Sequence, residues 1–164
     1  MIEILNSPTL KTWHGKQFVV TGGCVILTVD ADMLRGADLS GGHLSAAHFP
    51  GADLRHVNFS NARLSCANFS GADLREADFA GANLRGANLA GANLADATLN
   101  EAFMPGAYLE GADLRFAILQ NAKLRFARCD ETTLWPEGFD PEAAGAKRYS
   151  EVNEELMPPG AGAP

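Results

Sequence analysis

His43 and His48, five residues apart, are the nearest approach to a metal-ligand pair in this 164-residue chain. A protein metal site needs three or four His, Cys or carboxylate ligands at short, fixed spacings. Cys66 lies well downstream of the two histidines, and no third strong ligand completes a set. The Gly-Gly pairs at 22–23 and 41–42 match no phosphate-binding loop, and no nucleophile stands with a base and an orienting group. Cys129 replaces a core leucine and reads as an inert buried thiol. No catalytic residue, metal ligand or cofactor-binding residue is therefore assigned, and the chain reads as a non-enzyme with no cofactor.

What organises the residues is a beat of five. From Leu34 to Leu134 every fifth residue is Leu, Phe, Met or Cys: 21 positions, of which 15 are Leu and four are Phe (49, 59, 69 and 79). Two residues before each stands Ala at 17 of the 21, the departures being Asp32, Gly42, Val57 and Thr132. On an α-helix a step of five spirals around every face. On a flat strand an odd step alternates faces. A coil with four five-residue sides satisfies the pattern: 20 residues make one rung, the large residue and the Ala point inward, and rungs pair through their backbones. In this register Leu134 fills the interior like the others. Asp or Asn often precedes the large residue, where a short polar side chain can bond the turn backbone. Gly recurs two residues after it, as at Gly71, Gly81 and Gly91, where a corner requires it.

Segments such as Ala72-Asp73-Leu74-Arg75-Glu76 and Ala82-Asn83-Leu84-Arg85-Gly86 resemble the pentapeptide-repeat family, A(D/N)LXX in tandem. The resemblance implies an all-β fold, a right-handed quadrilateral β-helix of about five rungs. It also implies roles known in that family: bacterial protein–protein scaffolds, some of which bind DNA gyrase as duplex mimics and inhibit it or protect it from poisons. Several relatives dimerise through their C-terminal rungs, so a homodimer is a further expectation.

Because positions 20 apart stack, each side chain has a face. The first face, centred on Leu34, Leu54, Leu74, Leu94, Leu114 and Leu134, carries Arg35, Arg55, Arg75 and Arg115, with Asp53, Asp73 and Asp113 interleaved. Interleaved signs point to a solvated ion-pair lattice. The second, centred on Leu39, Phe59, Phe79, Leu99 and Leu119, has Asp38, Asp78 and Glu101 and no base. The third, centred on Leu44, Leu64, Leu84, Met104 and Leu124, has Arg63, Arg85, Lys123 and Arg125 and no acid. The fourth, centred on Phe49, Phe69, Leu89, Leu109 and Cys129, holds Glu110, Arg128, Asp130 and Glu131. The coil is thus expected to be polarised between an acidic side and an opposite basic one. The net charge of −7 is mostly not on it: residues 32–136 hold 12 acids and nine bases, giving −3, and residues 137–164 give −4. A duplex mimic needs a continuous acidic surface, so gyrase becomes the alternative to an unknown protein partner. The outward hydrophobic residues Phe103, Tyr108, Phe116, Ile118 and Phe126, with Trp135, form a candidate interaction surface near the C-terminal end. A segment over 142–149 folding back on them is the competing reading.

Residues 1–31 lack the repeat and show strand-like runs at 2–5, 17–20 and 25–29, expected to cap the coil and lead into its first rung. Residues 32–136 form the coil. Residues 137–156 form a C-terminal cap, with Asp140 as N-cap and Pro141 opening a short helix over 142–147. Trp135 and Phe139 are expected to cover the last rung, and residues 157–164 to be disordered. The three scattered cysteines, with no apolar span and no basic-then-apolar leader, lead to a cytoplasmic expectation, with no membrane and no direct nucleic-acid contact.

Overall fold

The chain returns to the same side every 20 residues. Parallel β-bridges join Asp38 to Asn58, His43 to Arg63, His48 to Asn68 and Asp53 to Asp73, and the series continues in steps of five down the coil. A computed structural model describes Lys11–Trp13, Lys16–Phe18 and residues 34–149. Each side makes one repeated set of backbone contacts. For the side centred on Leu74, the Leu74 N–H donates to the Asn93 carbonyl (2.7 Å) and the Asp73 N–H to the Ala52 carbonyl (2.9 Å). The Glu76 N–H donates to the Ala95 carbonyl (3.2 Å), and the Ala77 N–H closes the corner onto the Leu74 carbonyl (3.1 Å). The backbone is thereby satisfied between rungs rather than within long strands.

The interior is the column that the five-residue beat requires. Leu54, Phe59, Leu64, Phe69, Leu74 and Phe79 are wholly buried, as are Val57, Ala62, Ala67, Ala72 and Ala77 beside them. Phenylalanines from the second and fourth faces meet across the lumen. Phe59 stacks on Phe79 (centroids 5.0 Å), Phe49 on Phe69 (5.4 Å), and Phe69 meets Phe59 and Phe79 edge-on at 5.6 and 5.9 Å. Side-chain oxygens of Asn58, Asn68, Asp78, Asn88 and Asn93 accept the N–H two residues on, at 2.8–3.1 Å, as the short polar residues suggest. Every corner from Gly36 to Phe126 has positive φ, ten of them on non-glycine residues, Phe116 (63°) and Phe126 (61°) among these.

Four expectations are corrected or relocated. First, the register slips by one residue at its end. Leu134 is 43 % exposed, while Thr133 is buried. The Leu134 N–H donates to the Ala112 carbonyl (2.9 Å) and its own carbonyl accepts from Leu114 (2.7 Å), the bonds that the residue before a core position makes elsewhere. Asp130 absorbs the extra residue. Its carboxylate accepts from the Thr132 N–H (3.0 Å), both threonine hydroxyls (2.8 and 3.0 Å) and the Gly111 N–H (3.1 Å), which higher in the coil meets a backbone carbonyl. Burial raises the Asp130 pKa, but these bonds prevail and hold it low. Trp135 then takes the core place, half-buried and stacked on Phe139 at 5.3 Å.

Second, the short C-terminal helix does not form. Asp140 caps as expected, accepting from the Glu142 and Ala143 N–H groups at 3.0 Å each. Gly145, at φ 96°, ends the turn at once: its N–H donates to the Glu142 carbonyl (2.9 Å) and the Ala146 N–H to the Pro141 carbonyl (2.9 Å), the bond pair that terminates helices. The chain instead extends into a strand. Numbering strands in chain order, β1 (Lys11–Trp13) and β2 (Lys16–Phe18) form an antiparallel hairpin, and β3 (Arg128–Cys129) pairs in parallel with β4 (Lys147–Arg148). Third, the run at 17–20 overlaps β2 in part, while those at 2–5 and 25–29, like Asp32 and residues 157–164, lie outside the described residues. Fourth, the acidic second and basic third faces adjoin across the corner at Asn61, Gly81, Glu101 and Asn121 and are not opposite, because consecutive sides of a square coil share an edge.

Candidate functional site

The Arg column of the first face is built from an Asp-x-Arg spacing. Asp53 accepts from the Arg55 Nε (2.8 Å) and terminal nitrogen (2.5 Å), Asp73 from Arg75 at 2.8 and 2.6 Å, and Asp113 from Arg115 at 2.9 and 2.7 Å. Each carboxylate also accepts the backbone N–H of its arginine. Arg55 reaches a second carboxylate, Asp73, at 3.6 Å. The Arg55 side chain on Asp53 holds that carboxyl down to about 2, and Arg75 and Arg115 lower Asp73 and Asp113 likewise. These guanidiniums are occupied within their own rungs and brace the face.

The pairs set a pH dependence. A carboxylate held below its ordinary pKa stabilises the fold above that value, and the contribution fades as pH falls through the folded pKa. For Asp53 the window runs from about 4 to about 2. Exposed pairs of this kind contribute little individually, and several in one lattice add up. The melting temperature is therefore expected to fall between pH 4 and 2, and less steeply in an Arg55→Gln, Arg75→Gln, Arg115→Gln variant. An equal fall in both proteins would assign the acid loss elsewhere.

On the third face Arg63, Arg85, Lys123 and Arg125 are all exposed, and none makes an ion pair among the described residues. Asp38, Asp78 and Glu101 lie on the second face or its corner, with Asp78 capping the Ala80 N–H at 2.8 Å.

The outward aromatic and aliphatic residues fall into separate groups around the rod. Phe116 (74 % exposed) and Ile118 (52 %) flank the lower end of the second face, beside a groove of about 360 Å³ between Ala117, Leu119 and Gln120 and residues 136–139. Phe103 and Phe126 belong to the third face and its far corner, and the Arg125 guanidinium lies 4.8 Å over the Phe126 ring. Tyr108 stands on the fourth face, where Arg128 lies between it (5.3 Å) and Tyr149 (4.4 Å) and pairs with Glu110 at 2.8 Å. That cluster fastens β4 to the coil and was missed in the sequence, since Tyr149 meets Arg128 only through the β3–β4 pairing. Trp135 lies in the cap. Residues 142–149 fold back onto the last rung but leave Phe116 and Phe126 exposed.

The reactive residues stay apart. His48 approaches Asn68 (3.1 Å), His56 approaches Glu76 (3.3 Å), and His43 is bridged to Arg63. Cys66 is exposed at a corner. Cys129 is buried, its thiol pushed up by burial and donating to the Lys147 carbonyl (3.6 Å). Among the described residues no three His, Cys, Asp or Glu are placed to hold a metal ion, and no helix is long and apolar enough to cross a membrane.

The family model described as pentapeptide repeats matches in eight copies, over residues 34–65, 52–91, 62–100 and 92–128. No curated protein matches. Among solved structures, a pentapeptide repeat protein from the Arabidopsis thaliana thylakoid lumen is 27 % identical with a TM-score of 0.59, covering 65 % of this chain and 73 % of that one. A pentapeptide repeat protein from Nostoc PCC 7120 is 37 % identical with a TM-score of 0.38, covering 73 % of this chain and 89 % of that one. QnrB1, a plasmid-mediated fluoroquinolone resistance protein, is 18 % identical with a TM-score of 0.39, covering 75 % and 70 %. With the repeat model spanning more than half of its length and the 20-residue rungs in place, the chain belongs to the pentapeptide-repeat family, whose members form right-handed β-helices.

Proposed function

We propose that this protein is a non-catalytic, rigid docking scaffold for another protein, engaged through outward side chains of its last two rungs. Phe116 carries the reading. It sits at a corner with φ 63°, in the left-handed region that suits glycine, and its ring is 74 % exposed. A side chain there costs about 1–2 kcal/mol over the right-handed region, and the exposed ring returns little burial to the fold. Phe126 repeats the combination one side pair on, at φ 61° and 55 % exposure. Two aromatic rings held where folding favours glycine fit a binding role, since aromatic side chains dominate interface energetics.

The test is capture from an extract of the native organism with wild-type protein and with the Phe116→Gly, Phe126→Gly variant. At least one protein held by the first is expected to be lost by the second, and an unchanged set of captured proteins would contradict the reading. Light scattering shows whether the partner is a second copy, by a mass near twice the 17.4 kDa chain. The alternative, a duplex-mimicking ligand of DNA gyrase, requires acids at phosphate density along the rod. The first-face aspartates are neutralised by arginine and the third face is basic. Neither inhibition nor protection is expected in a gyrase supercoiling assay at micromolar protein.

A further inference from the structure

We propose that the third face is a docking site for a short, extended, acidic segment of a partner protein, with carboxylates on either side of an apolar residue. The inference rests on the scaffold reading and adds to it the face and the chemistry of the partner.

Charge complementarity is the first argument. Elsewhere on the coil and its cap, five of the seven described Arg and Lys residues (Arg55, Arg75, Arg115, Arg128 and Arg148) have a carboxylate within 4 Å, Arg35 and Lys147 being the other two. Arg63, Arg85, Lys123 and Arg125 are exposed on one face, have no such partner among the described residues, and share that face with no acid. Nothing in the rung geometry forbids pairing: Asp53–Arg55 and Asp73–Arg75 show that an acid two residues earlier would hold the cation. At Arg85 that place is Asn83, at Arg125 it is Lys123.

The second argument lies between the charges. Phe103 is 44 % exposed and stands in one column between Asn83 and Lys123. In that column position Asn83 accepts the N–H of Arg85 at 3.1 Å. Two residues after Phe103 the chain carries Pro105, which has no N–H to satisfy, so the turn makes no demand on residue 103. A phenylalanine is there without a local backbone role, and it offers a flat ring in the middle of a basic field. Phe126 borders the same face, with Arg125 over its ring.

The size of the field selects the occupant. From Arg63 to Lys123 is three rungs, about 14 Å at ~4.8 Å per rung, and a five-residue side is at most about 17 Å wide. This is far below the roughly 800 Å² per partner of a standard protein interface, which favours a short segment over a folded domain face. Glu101 stands at the adjoining corner and Asp78 beyond it on the next face, so a long polyanion laid across the rod would run into carboxylates. A few residues of acidic peptide stay within the basic area.

The test uses the full chain and fluorescence anisotropy with a labelled acidic hexapeptide (DELFED), its amide counterpart (NQLFQN) and an eight-nucleotide oligothymidylate. The acidic peptide is expected to bind saturably, at least about tenfold more tightly than the amide peptide. Its affinity is expected to fall at least about tenfold in Arg63→Ser, Lys123→Ser and about fivefold in Phe103→Asn. The Arg55→Ser, Arg75→Ser variant has the same net charge with the loss on another face, and it should bind as the wild type does. Equal binding of the two peptides, an equal loss in the first-face variant, tighter binding of the oligothymidylate, or no binding up to about 1 mM peptide would each overturn the proposal. Capture that still depends on Phe116 alongside any of these results would leave the scaffold reading standing without this site.

Discussion

Replacing Phe69 with alanine is expected to lower the unfolding free energy by about 3–5 kcal/mol, read as a lower urea midpoint with an unchanged slope. Phe69 is wholly buried at mid-column, and its ring meets Phe49, Phe59 and Phe79 at 5.4, 5.6 and 5.9 Å. The space left behind cannot collapse easily. Its walls are rungs whose spacing is set by backbone bonds such as Phe69 N–H to the Asn88 carbonyl (2.7 Å) and Asn68 N–H to the Ala47 carbonyl (2.8 Å). A rigid wall leaves a cavity, and the cost rises with its volume. Phe49 lies at the upper end of the described coil and is 4 % exposed, so Phe49→Ala should cost less. Equal losses at the two positions would mean that the rungs relax independently.

The opposite change at an alanine should be as severe. Ala87 is wholly buried two residues before Leu89, its N–H donating to the Leu84 carbonyl (3.0 Å) and its carbonyl accepting from Tyr108 (2.9 Å). A leucine there must share the lumen with Leu84 and Leu89. Overpacking costs about 1–3 kcal/mol where neighbours can adjust. Here the adjustment would break the bonds to the next rung, so Ala87→Leu is expected at or above the top of that range. Val57, wholly buried in the equivalent place of another side, shows what the position accepts, and Ala87→Val should be much milder. At Gly42 even a methyl would lie 2.9 Å from the Leu39 carbonyl oxygen, so tolerance varies along the column. Near-native stability of the leucine variant in urea would show that the lumen is looser than the burial of its walls implies.

Most of the coil was legible because its constraint is periodic. A residue that must point inward in every rung appears every fifth place, and the same arithmetic assigns the corners, including those filled by His56, Glu76 and Phe116. The ends escaped for reasons of local chemistry. Leu134 suits the core by type, and the register lost its place only because the Asp130 carboxylate could replace a ladder carbonyl. Thr132, where alanine belongs, was the one warning. At the cap, Asp140 and Pro141 suggested a helix, and Asp140 does cap a turn, but Gly145 ends that turn before a helix forms; a Cβ on Gly145 would lie 3.2 Å from the Arg125 Cα, a tight approach. On the surface, the inventory of charges per face was readable. Which of them are already spent was not, because pairing depends on side-chain geometry: Arg55 is held by Asp53 and also reaches Asp73 in the neighbouring rung. The Asp-x-Arg spacing was the readable part of that lattice. The outward aromatics were recognised individually, but three separate faces share them, and only the positive φ at Phe116 and Phe126 marks them as strained.

In the function proposed above, Phe116 is held at its corner for a partner and not for the fold. Urea unfolding of the Phe116→Gly variant tests it most directly. Relief of the left-handed backbone should exceed the entropy that glycine adds to the unfolded chain, raising stability by about 0.5–1 kcal/mol. A variant less stable than the wild type would mean that the ring supports the fold, and would contradict the account.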